Sequence, residues 1–356
     1  VNAELPVISF RHRVAAHCGS GAFRDLLEHA GLSFGEEPIS EAMVFGLGGG
    51  VGLRYEGETA GASFPFCLMG RDLELETVLC RNLGIAAELV QDDDPGRGWE
   101  ILREEIDRGR PALIWTDSSR LPYLREALSL HVENTRHALI VLGYDSARGV
   151  AYVADQYFKQ PQACDLAALA EARCSDRFPG PTRHALWRLS FPSRLPAPTD
   201  AVRAGIARTL LGMTDGGRGS GDVGDPYGGF LALDRLARRC AALEAEGGQA
   251  EVARWLRFWI RQAGTGGALF RSLEAEFLAE SAALLDDLQL ERAGEAYARL
   301  AGDWSTLARE LARPEAVDAE TLRLGLDTIG GREREAVRML ASWLHSSSPA
   351  GLGQAV

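Results

Sequence analysis

Lysine is nearly absent from this chain: among 38 Lys and Arg residues, Lys159 alone is lysine. A Walker-type phosphate lysine is thereby excluded everywhere else, and Schiff-base chemistry has one position, which sits in neither context. Cys-x-x-Cys is also missing among the six cysteines, so zinc-ribbon and dithiol redox chemistry lack their motif. The seven histidines are scattered. His12 and His17 lie close together, but no Cys or carboxylate cluster at ligand spacing completes a site, and no metal is expected. No apolar run approaches the ~18 residues of a membrane span. Positive charge is in deficit, with a formal net charge of −12, which argues against nucleic acid or an anionic membrane as partner. With no signal-peptide pattern at Val1-Asn2-Ala3-Glu4-Leu5-Pro6, the cysteines are expected to be free thiols in a reducing cytoplasm.

At 356 residues, 46% of them hydrophobic, the chain is long enough for two cores. Over 1–192 the pattern mixes periods. Helical spacing from Ser20 to about Ala30, after Asp72, from Trp99 to Arg108 and from Pro122 to Leu130 alternates with strand-like Gly52–Glu56, Ser63–Leu68, Ala86–Val90, Pro111–Thr116 and His184–Phe191. This reads as α+β with a largely antiparallel end. The Pro-rich stretch 193–199 reads as a linker. Beyond it, 200–213, 229–247, 250–263, 268–288, 291–312 and 319–345 have helical periodicity, predicting an all-α bundle over 200–347 and a frayed tail at 348–356. The glycine-rich stretch 216–229 is too long for a minimal helix connection and reads as either a mobile lid or a disordered insertion.

Two further glycine clusters are tempting. Gly46-Leu47-Gly48-Gly49-Gly50-Val51-Gly52 fits no frame of the dinucleotide fingerprint G-x-G-x-x-G, so a structural use of backbone freedom is favoured. Its position before Arg54 and Tyr55 makes those two the candidate substrate contacts should the segment line a cleft. Gly264-Thr265-Gly266-Gly267-Ala268-Leu269-Phe270-Arg271 marks a helix junction, with anion binding as the minority reading.

The strongest chemical signal is Cys18, in His17-Cys18-Gly19-Ser20-Gly21, where a small-residue turn runs into an amphipathic helix. A thiol at a helix N-terminus meets unpaired N–H groups and partial positive charge, which favour thiolate. Cys67, Cys80, Cys164, Cys174 and Cys240 sit in apolar or helical patterns and read as packing residues. His137 opens the run Ala138–Tyr144 and Asp155 closes the run Val150–Ala154, with Asp145–Gly149 as the turn of a β-hairpin. A register that places 137 opposite 155 brings their Cβ atoms to about 5 Å, so the carboxylate can orient the imidazole. Each of the three also has a bland reading, as core thiol, strand-edge histidine and turn former. Together, cysteine on an early helix with His and Asp on strands is the layout of thiol acyl transfer.

These motifs, with Ser40-Glu41-Ala42-Met43-Val44-Phe45 ahead of the first glycine cluster, resemble the BtrH-like acyltransferases of butirosin biosynthesis, and the helical remainder resembles the domain that accompanies them. The resemblance implies a papain-like core at 1–192. It also implies transfer of an acyl group from an acyl carrier protein thioester, through a Cys18 acyl-enzyme, to a small-molecule amine in natural-product assembly. It implies no resident cofactor, only phosphopantetheine carried by the donor, and leaves a homodimer open. Papain-like enzymes often place an oxyanion-binding glutamine six residues before the nucleophile; here that position is His12. The oxyanion donors are left open among the Cys18 N–H, His12, His17 and Ser20. An acidic carrier would need a basic patch, for which Arg235, Arg238, Arg239, Arg254, Arg257 and Arg261 are candidates or else ordinary solvated helix faces. Rival readings are a cysteine hydrolase or cyclase with the same triad, and a non-catalytic carrier-binding scaffold with Trp255, Phe258 and Trp259 as its contact stripe.

Overall fold

The computed structural model describes residues 7–57, 65–128, 136–177, 180–214, 227–245, 248–263 and 267–347. In chain order the elements run α1 (Cys18–His29), α2 (Glu41–Leu47), β1 (Val51–Glu56), β2 (Cys67–Arg71), α3 (Leu75–Leu83), β3 (Ala86–Val90), α4 (Pro95–Asp107), β4 (Ala112–Asp117), α5 (Pro122–Leu128), β5 (Arg136–Asp145), β6 (Val150–Ala154), β7 (Gln162–Asp165), α6 (Leu166–Ala172) and β8 (Leu186–Ser190). They continue with α7 (Pro198–Thr214), β9 (Tyr227–Gly228), α8 (Gly229–Ala245), α9 (Gln249–Arg261), α10 (Arg271–Leu285), α11 (Leu288–Glu310) and α12 (Ala319–Ser346). The class is α+β, a sheet-rich N-terminal region followed by helices.

The packing does not follow chain order. Described residues up to Val44 join Gly84–Leu195 in one compact unit, and Phe45–Leu83 joins the chain from Pro196 onward in a second. The expected division at 192 therefore differs from the observed one, and the expected all-α second domain carries a sheet. In this second unit β1 lies between β2 and β9, antiparallel to both, with Arg54 opposite Gly228 and Tyr55 opposite Tyr227. The first glycine cluster is what lets this segment approach the helices. A Cβ on Gly46 would lie 2.0 Å from the Phe277 ring of α10, and one on Gly205 of α7 would lie 2.4 Å from the Gly46 carbonyl oxygen. Backbone thus packs on backbone here, which is the structural reading of that cluster. The 216–229 stretch lies outside the described residues as far as 226.

The first unit is built on a six-stranded antiparallel sheet in the order β3-β8-β4-β5-β6-β7. Alternate residues of five strands, including Ala112, Ile114, Leu139, Val141, Ala151, Val153, Cys164 and Leu186, form a core with Ile101, Leu102 and Ile106 of α4, Leu121 and Leu124 at α5, and Leu169 and Ala172 of α6. Period-two alternation puts these side chains on one face. Ala138, Ile140 and Leu142 are buried as well, so β5 is covered on both faces, and its near-continuous apolar run follows from that.

The β5–β6 hairpin differs in register from expectation. Asp145 pairs with Val150 and Gly143 with Tyr152, but beyond a bulge between Val141 and Gly143 the pairs become Val141 with Val153 and Ile140 with Ala154. Continued one step, that register sets Asp155 opposite Leu139, so His137 is its diagonal neighbour and not its direct partner. The bulge also explains why Val141 and Tyr144, an odd spacing apart, both pack on the same core. One extra residue on a strand reverses which way all later side chains point.

The second unit buries a polar cluster. Arg271 donates from Nε to Glu333 Oε1 at 2.8 Å and from Nη1 to the carbonyls of Gly70 at 2.9 Å and Leu269 at 2.7 Å, while Trp304 donates to the same Glu333 oxygen at 2.9 Å. Arg271 opens α10 directly after Leu269 and Phe270, both in the left-handed region at φ 48° and 68°, so the helix starts later than the expected 268. The guanidinium that an anion at this junction would use is already committed.

Near this cluster the Glu274 carboxyl is pushed up to about 8, because burial disfavours its charge more than Arg271 and the Val51 N–H favour it. The folded chain holds a proton there that the unfolded chain releases near its ordinary value of 4.5. The resulting stability is complete below that value and lost as pH rises toward 8, with a limiting slope of about 1.4 kcal/mol per pH unit. Glu274→Gln is expected to flatten this slope and to exceed the parent in stability at pH 8, read from urea midpoints between pH 5 and 9. An unchanged slope would exclude a protonated Glu274.

Candidate active site

Helix α1 starts at Cys18 because His17, extended at φ −134° and ψ 135°, caps it: the imidazole Nδ1 accepts from the Ser20 N–H at 3.2 Å. Glu41, in the first turn of α2, ties down the approach, accepting from the Ala16 N–H at 2.9 Å, the His17 N–H at 2.8 Å and the Ser20 hydroxyl at 3.1 Å. Gly21 is required sterically, since a Cβ there would lie 2.3 Å from that of Ala15. Gly19 to Leu27 are buried while Cys18 is only half-buried. Cys18 is thus held at the start of a helix whose next nine residues are buried, and is itself only partly covered.

His137, on β5, is buried and bonds through Nε2 to Asp155 Oδ2 at 2.8 Å. Its ring also hydrogen-bonds the Cys18 side chain, and Nδ1 is the nitrogen left for that contact. Burial opposes a charge on this ring, yet the Asp155 carboxylate and then Cys18 override it and hold the imidazole well above its ordinary range. Charge on the sulfur and charge on the ring therefore support each other.

Asp155 sits just past the end of β6, where no ladder fixes it, and is held by other means. Its Oδ2 also accepts from the Tyr123 hydroxyl at 2.9 Å, and its Oδ1 accepts from the Tyr157 N–H at 3.3 Å. Burial would raise this carboxyl, but His137 and these donors keep it below the ordinary value. Burial and the Asp155 charge push Tyr123 up, so its phenol stays protonated and donates. The Tyr157 ring stacks on His137 with centroids 6.1 Å apart. The sequence offered no signal for Tyr123, 32 positions from its partner, or for Tyr157.

Two of the expected oxyanion donors are committed elsewhere. His12 contacts Asp25 Oδ2 through Nδ1 at 2.6 Å and the Asp155 carbonyl through Nε2 at 2.9 Å. The single Ser20 proton lies between two acceptors, Glu41 Oε1 and His17 Nδ1, each at 3.1 Å. His17 uses Nδ1 as an acceptor, which places its own proton on Nε2.

Arg54 and Tyr55 belong to the second compact unit and have structural partners there. Arg54 Nε donates to Glu56 Oε1 at 2.5 Å, and Tyr55 is buried with its ring 6.0 Å from Phe66. The arginine candidates lie on α8 and α9, with Arg235, Arg238, Arg254 and Arg261 exposed and Arg239 and Arg257 half-buried. Trp259 is a core residue whose Nε1 donates to the Phe66 carbonyl at 2.8 Å, with Phe258 packed edge-on against it. That removes the centre of the supposed contact stripe.

Residues 17–156 match the family model described as butirosin biosynthesis protein H, N-terminal, and residues 167–340 match a domain of unknown function, DUF4872. No curated protein matches the chain.

The cysteines differ enough for a labelling test. Burial pushes Cys80, Cys164 and Cys240 up to about 12 and Cys67 well upward. Brief iodoacetamide treatment of the folded protein at pH 6.5 is expected to modify Cys18 first, Cys174 more slowly, and the other four only after unfolding. Peptide mapping showing Cys18 no faster than Cys174 would remove the activated thiol.

Proposed function

With a butirosin biosynthesis protein H N-terminal domain followed by a DUF4872 domain, the chain is BtrH-like, and we propose that it is a cysteine acyltransferase that moves an acyl group from a carrier-bound thioester to an amine. The observation that carries the reading is the continuous chain of contacts from Cys18 at the start of α1 through His137 to Asp155 Oδ2. That is the order of groups that nucleophilic acyl transfer requires.

In the proposed reaction the Cys18 thiolate adds to the thioester carbonyl, and the carbonyl oxygen develops negative charge near the N–H groups that begin α1. Collapse breaks the carbon–sulfur bond to the carrier, whose pantetheine sulfur takes the His137 proton and leaves as a thiol. The neutral imidazole then accepts a proton from the incoming amine as its nitrogen attacks the acyl-enzyme. Expulsion of the Cys18 thiolate yields the amide and restores the imidazolium–thiolate pair. Asp155 supplies the fixed charge that keeps the ring oriented throughout. Phosphopantetheine arrives and departs with the donor, so the protein needs no resident cofactor in this scheme. Exposed arginines of α8 and α9 would meet an acidic carrier. Among the described residues no helix is long and apolar enough to cross a membrane.

Intact-protein mass after mixing with acyl-carrier and small-molecule thioesters tests the proposal. An adduct on the parent, absent from Cys18→Ala and discharged by an amine as amide, is the expected result. An adduct lost to water at the same rate with and without amine would replace the transferase with a hydrolase. Absence of any adduct would end the catalytic reading.

A further inference from the structure

Position 12 holds a histidine whose two ring nitrogens are both engaged and buried, its side chain 6% exposed against a fully buried Asp25. The Asp155 carbonyl can only accept, so Nε2, at 2.9 Å from it, carries a proton. Nδ1 lies 2.6 Å from Asp25 Oδ2. That carboxylate also collects the Arg13 N–H at 3.3 Å and the Arg24 Nε–H at 2.8 Å, the behaviour of an ionised group that accepts and does not donate. Nδ1 therefore carries a proton too, and the ring is an imidazolium. Geometry thus sets a second His–Asp pair beside the His137–Asp155 pair. The two differ in what the far side of the ring does, since the second N–H of His12 grips backbone.

We infer that His12, kept doubly protonated by Asp25, is a positioning residue that fixes Asp155 from its main-chain side. The inference rests on the reading of Cys18, His137 and Asp155 as the reacting group. Its structural setting is a strap. Val7 bridges to Gly143 and the Ile8 N–H donates to the Leu142 carbonyl at 2.8 Å, at the bulge of β5. Five residues on from Val7, His12 reaches the Asp155 carbonyl, and the Ala15 N–H donates to the Gln156 carbonyl at 3.0 Å. The segment that begins at Val7 thereby runs from the residue that sets the hairpin register to the turn that carries Asp155, and ends at the N-cap of α1. Arg24 anchors the strap from below, donating to the carbonyls of Arg13 at 2.6 Å and Val14 at 3.2 Å. A shift of Asp155 by a fraction of an ångström would lengthen its bond to His137, so the carbonyl grip acts on the imidazole through one peptide.

The charged groups around the ring are Asp25 and Arg24 from α1, Arg13 on the strap and Asp155 beyond the end of β6. Burial and Arg24 oppose the charge, while Asp25 and the Asp155 carbonyl favour it and prevail, leaving the imidazole above its ordinary value. On deprotonation one of the two contacts loses its donor. The positioning therefore holds on the acid side of that raised value and weakens on its alkaline side.

The test compares His12→Ala, His12→Gln and Asp25→Asn with Cys18→Ala and Asp155→Asn in amine-dependent discharge of a carrier thioester between pH 5.5 and 9.5. His12→Ala is expected to lower kcat by about tenfold or more with the thioester KM unchanged, since small displacements of a catalytic group are costly. It should also move the alkaline limb of kcat about one pH unit lower, as His137 loses part of the hold of Asp155. His12→Gln retains an N–H for the carbonyl and should recover most of kcat while no longer titrating. Asp25→Asn should shift the alkaline limb in the same direction as His12→Ala. Thermal melting separates a variant that has lost its fold from one that has lost positioning. A His12→Ala enzyme with an unmoved alkaline limb, or a His12→Gln enzyme no better than His12→Ala, would overturn the inference. Should Cys18→Ala retain transfer, the triad reading itself fails; loss in Cys18→Ala beside parental behaviour in His12→Ala removes His12 alone.

Discussion

Uninterrupted pairing outward from Asp145 and Val150 would carry Asp155 to the face of the sheet that His137 does not occupy; the extra residue between Val141 and Gly143 reverses this. The candidate site depends on that single parity change. After it, His137, Leu139 and Val141 share a face with Val153 and, by continuation, with Asp155, and a 2.8 Å hydrogen bond becomes geometrically available. The strap from Val7 and Ile8 pairs with the bulged residues themselves, so the irregularity is bonded on its outer side and does not rely on the hairpin alone. Bulges beside sites commonly re-aim one side chain; this one sets which side of a core the Asp155 carboxylate enters.

Around Asp155 the polar groups are densely satisfied. Carboxylate, carbonyl and the following N–H groups receive or give bonds to His137, Tyr123, Tyr157, His12 and Phe158. A buried carboxylate survives only with such partners, because an unpaired one would take up a proton instead. The same requirement keeps Tyr123 neutral and His137 charged. Cys18 stands apart in that its support comes from secondary structure: a helix start, tied by His17 and Glu41, presents the sulfur to a ring whose orientation is set from the opposite side.

Local pattern carried much of the description. Helices α9 and α12 and strands β3 and β6 begin and end close to where periodicity or a turn places them, since those signals are short-range, whereas α4 starts at Pro95, a turn ahead of the expected Trp99. Cys18, His137 and Asp155 stand out through element ends and are adjacent in space. Partnerships between distant segments were not legible. The register offset, the grip of His12 on the Asp155 carbonyl, the donation from Tyr123 and the membership of residues 45–83 in the second unit all depend on packing that no window of sequence contains. For His12, the papain-like resemblance implies an oxyanion donor, where the three-dimensional partners are a carboxylate and a carbonyl.

The passage of the chain from one compact unit to the other within α2, and back after α3, bears on how such a protein can be inherited. Phe45, Leu53, Tyr55, Phe66, Leu68, Leu75 and Leu79 are buried in the second unit, although they are encoded between Cys18 and His137. A recombination event that joined a foreign helical tail at the linker near 193 would deliver the Cys18, His137 and Asp155 codons intact. It would also strand β1 and β2 without the helices shaped to their glycines. Exchange of the helical region between relatives is therefore constrained by residues 45–83 as much as by the tail itself, and the two halves must diversify together.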